Sequence, residues 1–254
     1  MISKLFSIVI IFGLIITLSV QIQAKELKVG LGELDYPPFY FQKNGEYYGA
    51  AIEMAQYLAE KLGHSLVFER YPWGRVQSYL RTGEIDMVAL YFKTPERAKY
   101  VEFTDTPHLY ESSYLIISKG TEISYNGTLK DLQSYNFGDV RGYFHGDKYN
   151  NASYLNKQHV NNEKQLIRML LRERFDIAVG NKAVVNMYAK QEELEDEISF
   201  LIPPIDKGPN FLAFSKVRKD ANRLSQDFSS EIRKFITTDT YRQILKKYGL
   251  VVPK

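Results

Sequence analysis

The chain has 254 residues, 44% of them hydrophobic and 25% charged, and its 33 Lys and Arg against 30 Asp and Glu give a formal net charge of +3. That balance is typical of a soluble globular protein: it excludes disordered and collagen-like chains, and it leaves no clustered basic surplus with which to neutralise nucleic-acid phosphates. With no cysteine, disulfides, thiolate nucleophiles and zinc-finger-type sites are excluded too, and 19 Tyr with 15 Phe make aromatics the compositional surplus.

Residues 1–24 read as a secretory signal peptide. Lys4 supplies the positive start, Leu5 to Val20 is an uncharged apolar run, and Gln21-Ile22-Gln23-Ala24 precedes Lys25. The run is shorter than the roughly 20 residues of a membrane span, so cleavage near Ala24 is expected. An exported chain without a lipidated cysteine fits free diffusion in a periplasm.

Lys28-Val29-Gly30-Leu31 is a strand, and Tyr36-Pro37-Pro38-Phe39 after it forms a rigid loop, because prolines lack the N–H that a helix needs. Asn44-Gly45 marks a turn. Ile52, Ala55, Ala59 and Leu62 share one helical face, closed by Gly63. Leu66-Val67-Phe68 is again a strand, Val76, Tyr79 and Leu80 mark a helix ending at Gly83, and Ile85 to Leu90 is a strand buried on both faces. This alternation predicts a parallel sheet.

The pattern then recurs. Asn136 to Val140 is a strand, and a helix around Leu166, Ile167, Leu170 and Leu171 leads into Phe175-Asp176-Ile177-Ala178. That segment repeats the form of Ile85-Asp86-Met87-Val88, so two similar α/β lobes are expected. Phe211 to Phe214 is a further strand, and two last helices, around Leu224 to Phe235 and Tyr241 to Tyr248, bring no new sheet and should dock on the first lobe. The chain would cross between lobes near residues 108–114 and 204–211. A cleft spanned by two crossings is a favoured ligand site and permits hinge closure.

No nucleophile elbow, zinc-protease helix, phosphate loop or calcium loop is present. His64, His108, His145 and His159 lack ligand spacing, and Glu192 to Glu197 read as solvated carboxylates at a helix end. Neither a metal nor another cofactor is expected. One motif is chemically odd. In Thr94-Pro95-Glu96-Arg97, Thr suits an N-cap, Pro the first helical turn and Glu the positive end of the helix dipole, whereas Arg97 opposes that dipole. A carboxylate-binding role would explain it, and so would pairing with Glu102 or Asp105.

Leu27-Lys28-Val29-Gly30, Tyr36-Pro37-Pro38-Phe39, Gly49-Ala50-Ala51-Ile52-Glu53-Met54-Ala55, Gly83-Glu84-Ile85-Asp86-Met87, Thr94-Pro95-Glu96-Arg97, Phe103-Thr104-Asp105 and the closing Tyr241 to Gly249 together resemble family 3 of the bacterial periplasmic solute-binding proteins. Those proteins are the amino-acid receptors of ABC importers. The resemblance implies an α/β two-lobed clamshell with two hinge crossings: residues 25–112 and 208–254 in lobe 1, residues 113–207 in lobe 2. It further implies a monomer that captures a small molecule and presents it to an inner-membrane ABC permease or a sensor, with no nucleic acid involved.

By the same resemblance Arg97 grips the ligand carboxylate, Trp73 stacks on its side chain and Tyr36 walls the cleft. Departures follow. Phe92 and Leu90 stand where relatives keep hydroxyl residues, Gly142-Tyr143-Phe144 replaces a donor pair, and Asn181 replaces the carboxylate that receives the ligand ammonium. Such a site suits an aromatic or apolar carboxylate, enclosed by Tyr91, Phe92, Trp73, Tyr143 and Phe144 and oriented by Arg97, Asn181 and Arg141. Alternatively Tyr143 and Phe144 fill a cleft that has lost its ligand. No catalytic pair stands out; the enzymatic alternative, a prephenate-type dehydratase on the same fold, would need a general acid such as Glu33 or Glu173.

Overall fold

The computed structural model describes residues 25–251, so the expected signal peptide lies outside the described residues. In chain order the first part comprises β1 (Glu26–Gly32), β2 (Phe41–Lys43), β3 (Glu46–Tyr48), α1 (Ala50–Lys61), β4 (Ser65–Tyr71), α2 (Trp73–Thr82), β5 (Met87–Phe92) and β6 (Val101–Phe103). Then come β7 (Leu109–Ser118), β8 (Asn136–Val140), α3 (Asp147–Asn150), β9 (Asn156–Val160), α4 (Glu163–Leu171), β10 (Ile177–Asn181), α5 (Lys182–Gln191) and β11 (Ile198–Phe200). β12 (Asp206–Ser215), α6 (Ala221–Phe235) and α7 (Asp239–Lys247) complete it.

One ten-stranded sheet carries the fold, with eight strands in the order β4-β1-β5-β12-β7-β10-β8-β9, β6 paired beside β12 and β11 beside β7. β4, β1 and β5 are parallel, as are β10, β8 and β9, while β12 and β7 run antiparallel to each other and to the strands beside them. The expected parallel sheet is therefore present twice, once on each side of a long antiparallel pair. Those two central strands are the crossings, near residues 109–113 and 206–210.

Sequence read β12 as Phe211 to Phe214, but it begins at Asp206 and runs through Gly208 and Pro209. The reason is pairing. At Pro209 the strand has a partner only in β7, opposite Tyr110, and it meets β5 from Asn210 onward. A missing N–H is tolerated where one side of the strand is open. The Asn44-Gly45 turn joins a short hairpin, β2 paired with β3, whose strands are too short to carry an alternating pattern.

The internal repeat is chemical as well as topological. Asp86 Oδ2 accepts from the Lys28 backbone N–H at 2.8 Å, and Asp176 Oδ2 accepts from that of Asn136 at 2.7 Å. Each Asp thereby ties the start of its strand to the neighbouring parallel strand. A Cβ on Gly30 would lie 2.3 Å from Ile85 Cδ1, and one on Gly138 would lie 2.3 Å from the Phe175 ring, so each glycine admits the apolar residue before its Asp. Asp86 also pairs with the largely buried Arg218. Asp86→Ala should cost about 3 kcal/mol and Asp176→Ala about 1 kcal/mol in urea unfolding. Equal losses would mean that the Arg218 pair adds nothing.

α6 and α7 pack against α1, as expected from the absence of a new sheet. The buried Ser225 and Ser229 fix α6 to the β6 region, Ser225 donating to the Phe103 carbonyl at 2.7 Å and Ser229 accepting from the Asp105 N–H at 2.9 Å. At the other end of α1, the Tyr36–Tyr40 loop satisfies two N–H groups of the helix start: Ala50 donates to the Pro38 carbonyl and Ala51 to that of Phe39, both at 2.9 Å. This places Tyr36 at the mouth between the two sheet halves.

Candidate functional site

The expected helix after Thr94 is a single turn of 3₁₀ helix, Arg97–Lys99, before β6 begins. Thr94 Oγ1 still accepts from the Arg97 N–H at 3.2 Å, but so few aligned peptides sum to no useful dipole. The Arg97 side chain lies in the protein instead, 7% exposed, with its guanidinium 4.1 Å from the centroid of the Tyr91 ring. It donates to two neutral carbonyls, Phe92 at 3.0 Å and Gly142 at 3.1 Å. Asp105 pairs with Arg233 and Glu102 with Lys216, so neither neutralises Arg97. Burial lowers its pKa, against the opposing pull of Tyr91, Tyr100 and Glu111.

Glu111 is the residue that sequence reasoning missed. It sits in β7, where Leu109, Glu111, Ser113 and Leu115 face inward alternately, and a carboxylate in that buried register was the available signal. Three donors hold it: Tyr36 Oη at 2.7 Å, Asn210 Nδ2 at 3.2 Å and Asn181 Nδ2 at 3.3 Å. No cation is among them, and burial pushes the carboxyl up to about 7. A second buried carboxyl, Glu163 at the start of α4, is likewise raised to about 7 by burial and accepts from Tyr143 Oη at 3.0 Å.

Arg97 and Glu111 line one cavity of about 50 Å³, together with Tyr36, Tyr40, Trp73, Tyr91, Phe92, Tyr143, His145 and Asn210. Two buried atoms of that wall, His145 Nε2 and Asn210 Oδ1, have no hydrogen-bond partner among the described residues. Buried polar atoms are ordinarily paired, so these point to an occupant. A larger cavity, about 620 Å³, also touches Glu111 but is lined by Tyr110, Tyr114, Tyr241, Tyr248 and the exposed Lys182 and Lys207. The smaller space is the better candidate because it holds the desolvated charges. Among the described residues no group of His, Asp and Glu has metal-binding geometry, and no helix is long and apolar enough to cross a membrane.

A profile of the bacterial extracellular solute-binding proteins, family 3, matches residues 27–251. The chain belongs to that family. The arginine-binding extracellular protein ArtP of Bacillus subtilis is 26% identical over 220 residues, 84% of this chain and 82% of the relative. Among solved structures, an ancestral arginine-binding protein bound to glutamine is 26% identical with a TM-score of 0.72, over 88% of this chain and 97% of the other. A histidine kinase sensor domain with similarity to periplasmic binding proteins superposes with a TM-score of 0.76 at 22% identity, over 88% and 95%. The fold is accordingly the two-lobed α/β clamshell of this family, and β7 and β12 are its hinge strands.

In this solute-binding protein six of the eight expected ligand-binding residues, Arg97, Trp73, Tyr36, Tyr91, Phe92 and Tyr143, share the small cavity. Two do not. Arg141 is exposed and lines neither cavity, because the chain reaches the cleft only after Gly142 turns it with φ +78°. Asn181 is occupied as the N-cap of α5, where its Oδ1 accepts from Ala183 and Val184, and it touches the site only through Glu111. Tyr91 forms the platform beneath Arg97. Glu33 and Glu173, suggested as general acids, are exposed and line neither cavity. Glu173 lies instead in the turn after α4, at φ +56°.

The raised carboxyl sets a pH dependence. In the unfolded chain Glu111 ionises near its ordinary 4.5, and in the folded protein near 7. Between these values the native state keeps a proton that the unfolded state has released, so this contribution to stability is present below 4.5 and lost as pH rises to 7. Glu163, also raised to about 7, acts in the same sense, while His108 and His145, pushed by burial from 6.5 down to about 4, work in the opposite sense from pH 4 to 6.5, so the wild-type profile does not isolate Glu111. The stability of Glu111→Gln relative to wild type should therefore climb between pH 4.5 and 7, by on the order of 3 kcal/mol. A difference that stays constant across this range, in parallel thermal melts, would refute the raised pKa.

Proposed function

We propose that this protein, exported with its leader removed near Ala24, captures a small carboxylate-bearing solute in the interlobe cleft for an inner-membrane ABC importer. The solute is amino-acid-like with an aromatic or apolar body, and the protein acts as a monomeric binding protein without catalysis. In this scheme residues 25–112 and 208–254 form lobe 1 and residues 113–207 form lobe 2.

The observation that carries this reading is Arg97: a buried guanidinium facing a cavity, bonded only to neutral carbonyls, with no carboxylate within ion-pairing distance among the described residues. Burying a charge without a counter-ion costs several kcal/mol, and a ligand carboxylate supplies the missing partner through a two-pronged bond. Aromatic rings supply the apolar surface: Trp73 meets Tyr91 at 5.8 Å and Phe92 meets Phe144 at 5.5 Å. A ligand amino group would find its acceptor in Glu111 rather than at position 181.

A thermal-shift screen over amino acids, aromatic acids, short peptides and polyamines tests the class, since a ligand stabilises the state it binds. Carboxylates with apolar or aromatic bodies should raise the melting temperature and change the emission of Trp73, the single tryptophan. Stabilisation by polyamines alone, with no carboxylate effective, would overturn the assignment.

A further inference from the structure

The cleft is already filled from within. Gly142 follows β8, across the hinge strands from α2 and Arg97, and its carbonyl oxygen accepts from three side chains of that opposite half. Gln77 Nε2 donates at 3.0 Å, Arg97 Nη2 at 3.1 Å and Trp73 Nε1 at 3.3 Å. A carbonyl oxygen has two lone pairs, so three N–H groups, one on a buried cation, exceed what it can satisfy. A carboxylate would satisfy them better.

The next residue continues the pattern. The Tyr143 ring stands edge-on between two other rings, 5.9 Å from Trp73 and 5.9 Å from Tyr36. At the far end of that compartment its hydroxyl donates to Glu163. The backbone is fitted to this arrangement, because Gly142 has φ +78° and a Cβ there would come 3.1 Å from Gln77 Oε1. The open space that remains, about 50 Å³, holds a few waters at about 10–15 Å³ each.

We propose that Gly142 and Tyr143 are a built-in surrogate for the ligand. The Gly142 carbonyl occupies a carboxylate subsite made by Arg97, Gln77 and the Trp73 indole N–H, and the Tyr143 phenol occupies an aryl compartment between Tyr36 and Trp73. The true ligand is an aryl carboxylate that displaces both. The inference rests on the carboxylate reading above for the ligand's class, but its central consequence, a closed cleft without ligand, does not.

The test uses protein freed of co-purified solute by unfolding and refolding. Small-angle scattering of the ligand-free wild type should match the closed form, with a radius of gyration near the ~17 Å of a compact chain of this size. Tyr143→Ala should expand it by on the order of 1 Å, as in hinge opening, and expose Trp73 to acrylamide quenching. The vacated compartment should then bind 4-methylphenol, read by thermal shift, whereas wild type and Tyr143→Phe should not. A ligand-free wild type that scatters as an open form overturns the proposal, and does so even if Tyr143→Ala fails to fold. So does a folded Tyr143→Ala that stays closed, or 4-methylphenol binding alike to all three proteins. If the ligand-free wild type is closed but no carboxylate binds, the solute class fails while the self-closure stands. If it is open and carboxylates bind, the surrogate fails and the solute class stands.

Discussion

Arg97→Met should abolish capture of a carboxylate solute, weakening it by roughly 30- to several-thousand-fold, the equivalent of about 2–5 kcal/mol for truncating one partner of a buried charged contact. Melting of the ligand-free protein should shift little. The side chain is 7% exposed, burial already disfavours its charge, and its present partners are two carbonyls and the Tyr91 ring. Replacing a desolvated cation by an apolar chain of similar length removes a cost together with a set of bonds. Loss of binding without loss of stability separates a ligand-facing arginine from a structural one. Unchanged affinity in calorimetry would remove Arg97 from the site, and a large drop in melting temperature would mean that its carbonyl bonds hold the fold.

Gly49→Ala should have a large effect on stability, about 3 kcal/mol or more, lowering the melting temperature by roughly 10 °C in a chain of this size. Gly49 has φ +124°, and a Cβ there would lie 2.2 Å from the Phe39 carbonyl oxygen and 2.7 Å from Tyr40 Cα. Those neighbours are backbone and cannot rotate away. They belong to the loop that caps α1 and holds Tyr36 against Glu111, so binding should weaken along with stability. Gly45→Ala is the matched control: its φ is +83° but nothing lies within 4 Å of the added Cβ, so only backbone strain of about 1–2 kcal/mol is expected. Equal losses at the two positions, in denaturant titrations, would show that backbone strain alone accounts for Gly49.

Much of the fold was legible because its signals are local. Gly83 closes α2 in a left-handed conformation, the Asn44-Gly45 turn is where the pattern placed it, and Asp86 and Asp176 mark equivalent strand starts. Arg97 also stood out locally, although the argument from a helix dipole was wrong: a single 3₁₀ turn follows, and what makes the residue unusual is burial. Arg141 lies outside both cavities because a glycine with positive φ redirects the chain after it. Glu111 was missed because its environment comes from elsewhere: Tyr36 is 75 residues away, Asn181 is 70 and Asn210 is 99.

By itself, then, the sequence determined the α/β alternation, its repetition and the arginine. Periodicity, capping and turn residues act over a few positions and need no partner to be recognised. Only the tertiary structure decided which charges share a cavity, because the pairing of β7 with β12 carries Glu111 to Asn210 and the approach of the two halves brings Arg97 to the Gly142 carbonyl. Those encounters join residues far apart in the chain, and their energies come from desolvation, which exists only once the surrounding surfaces have closed.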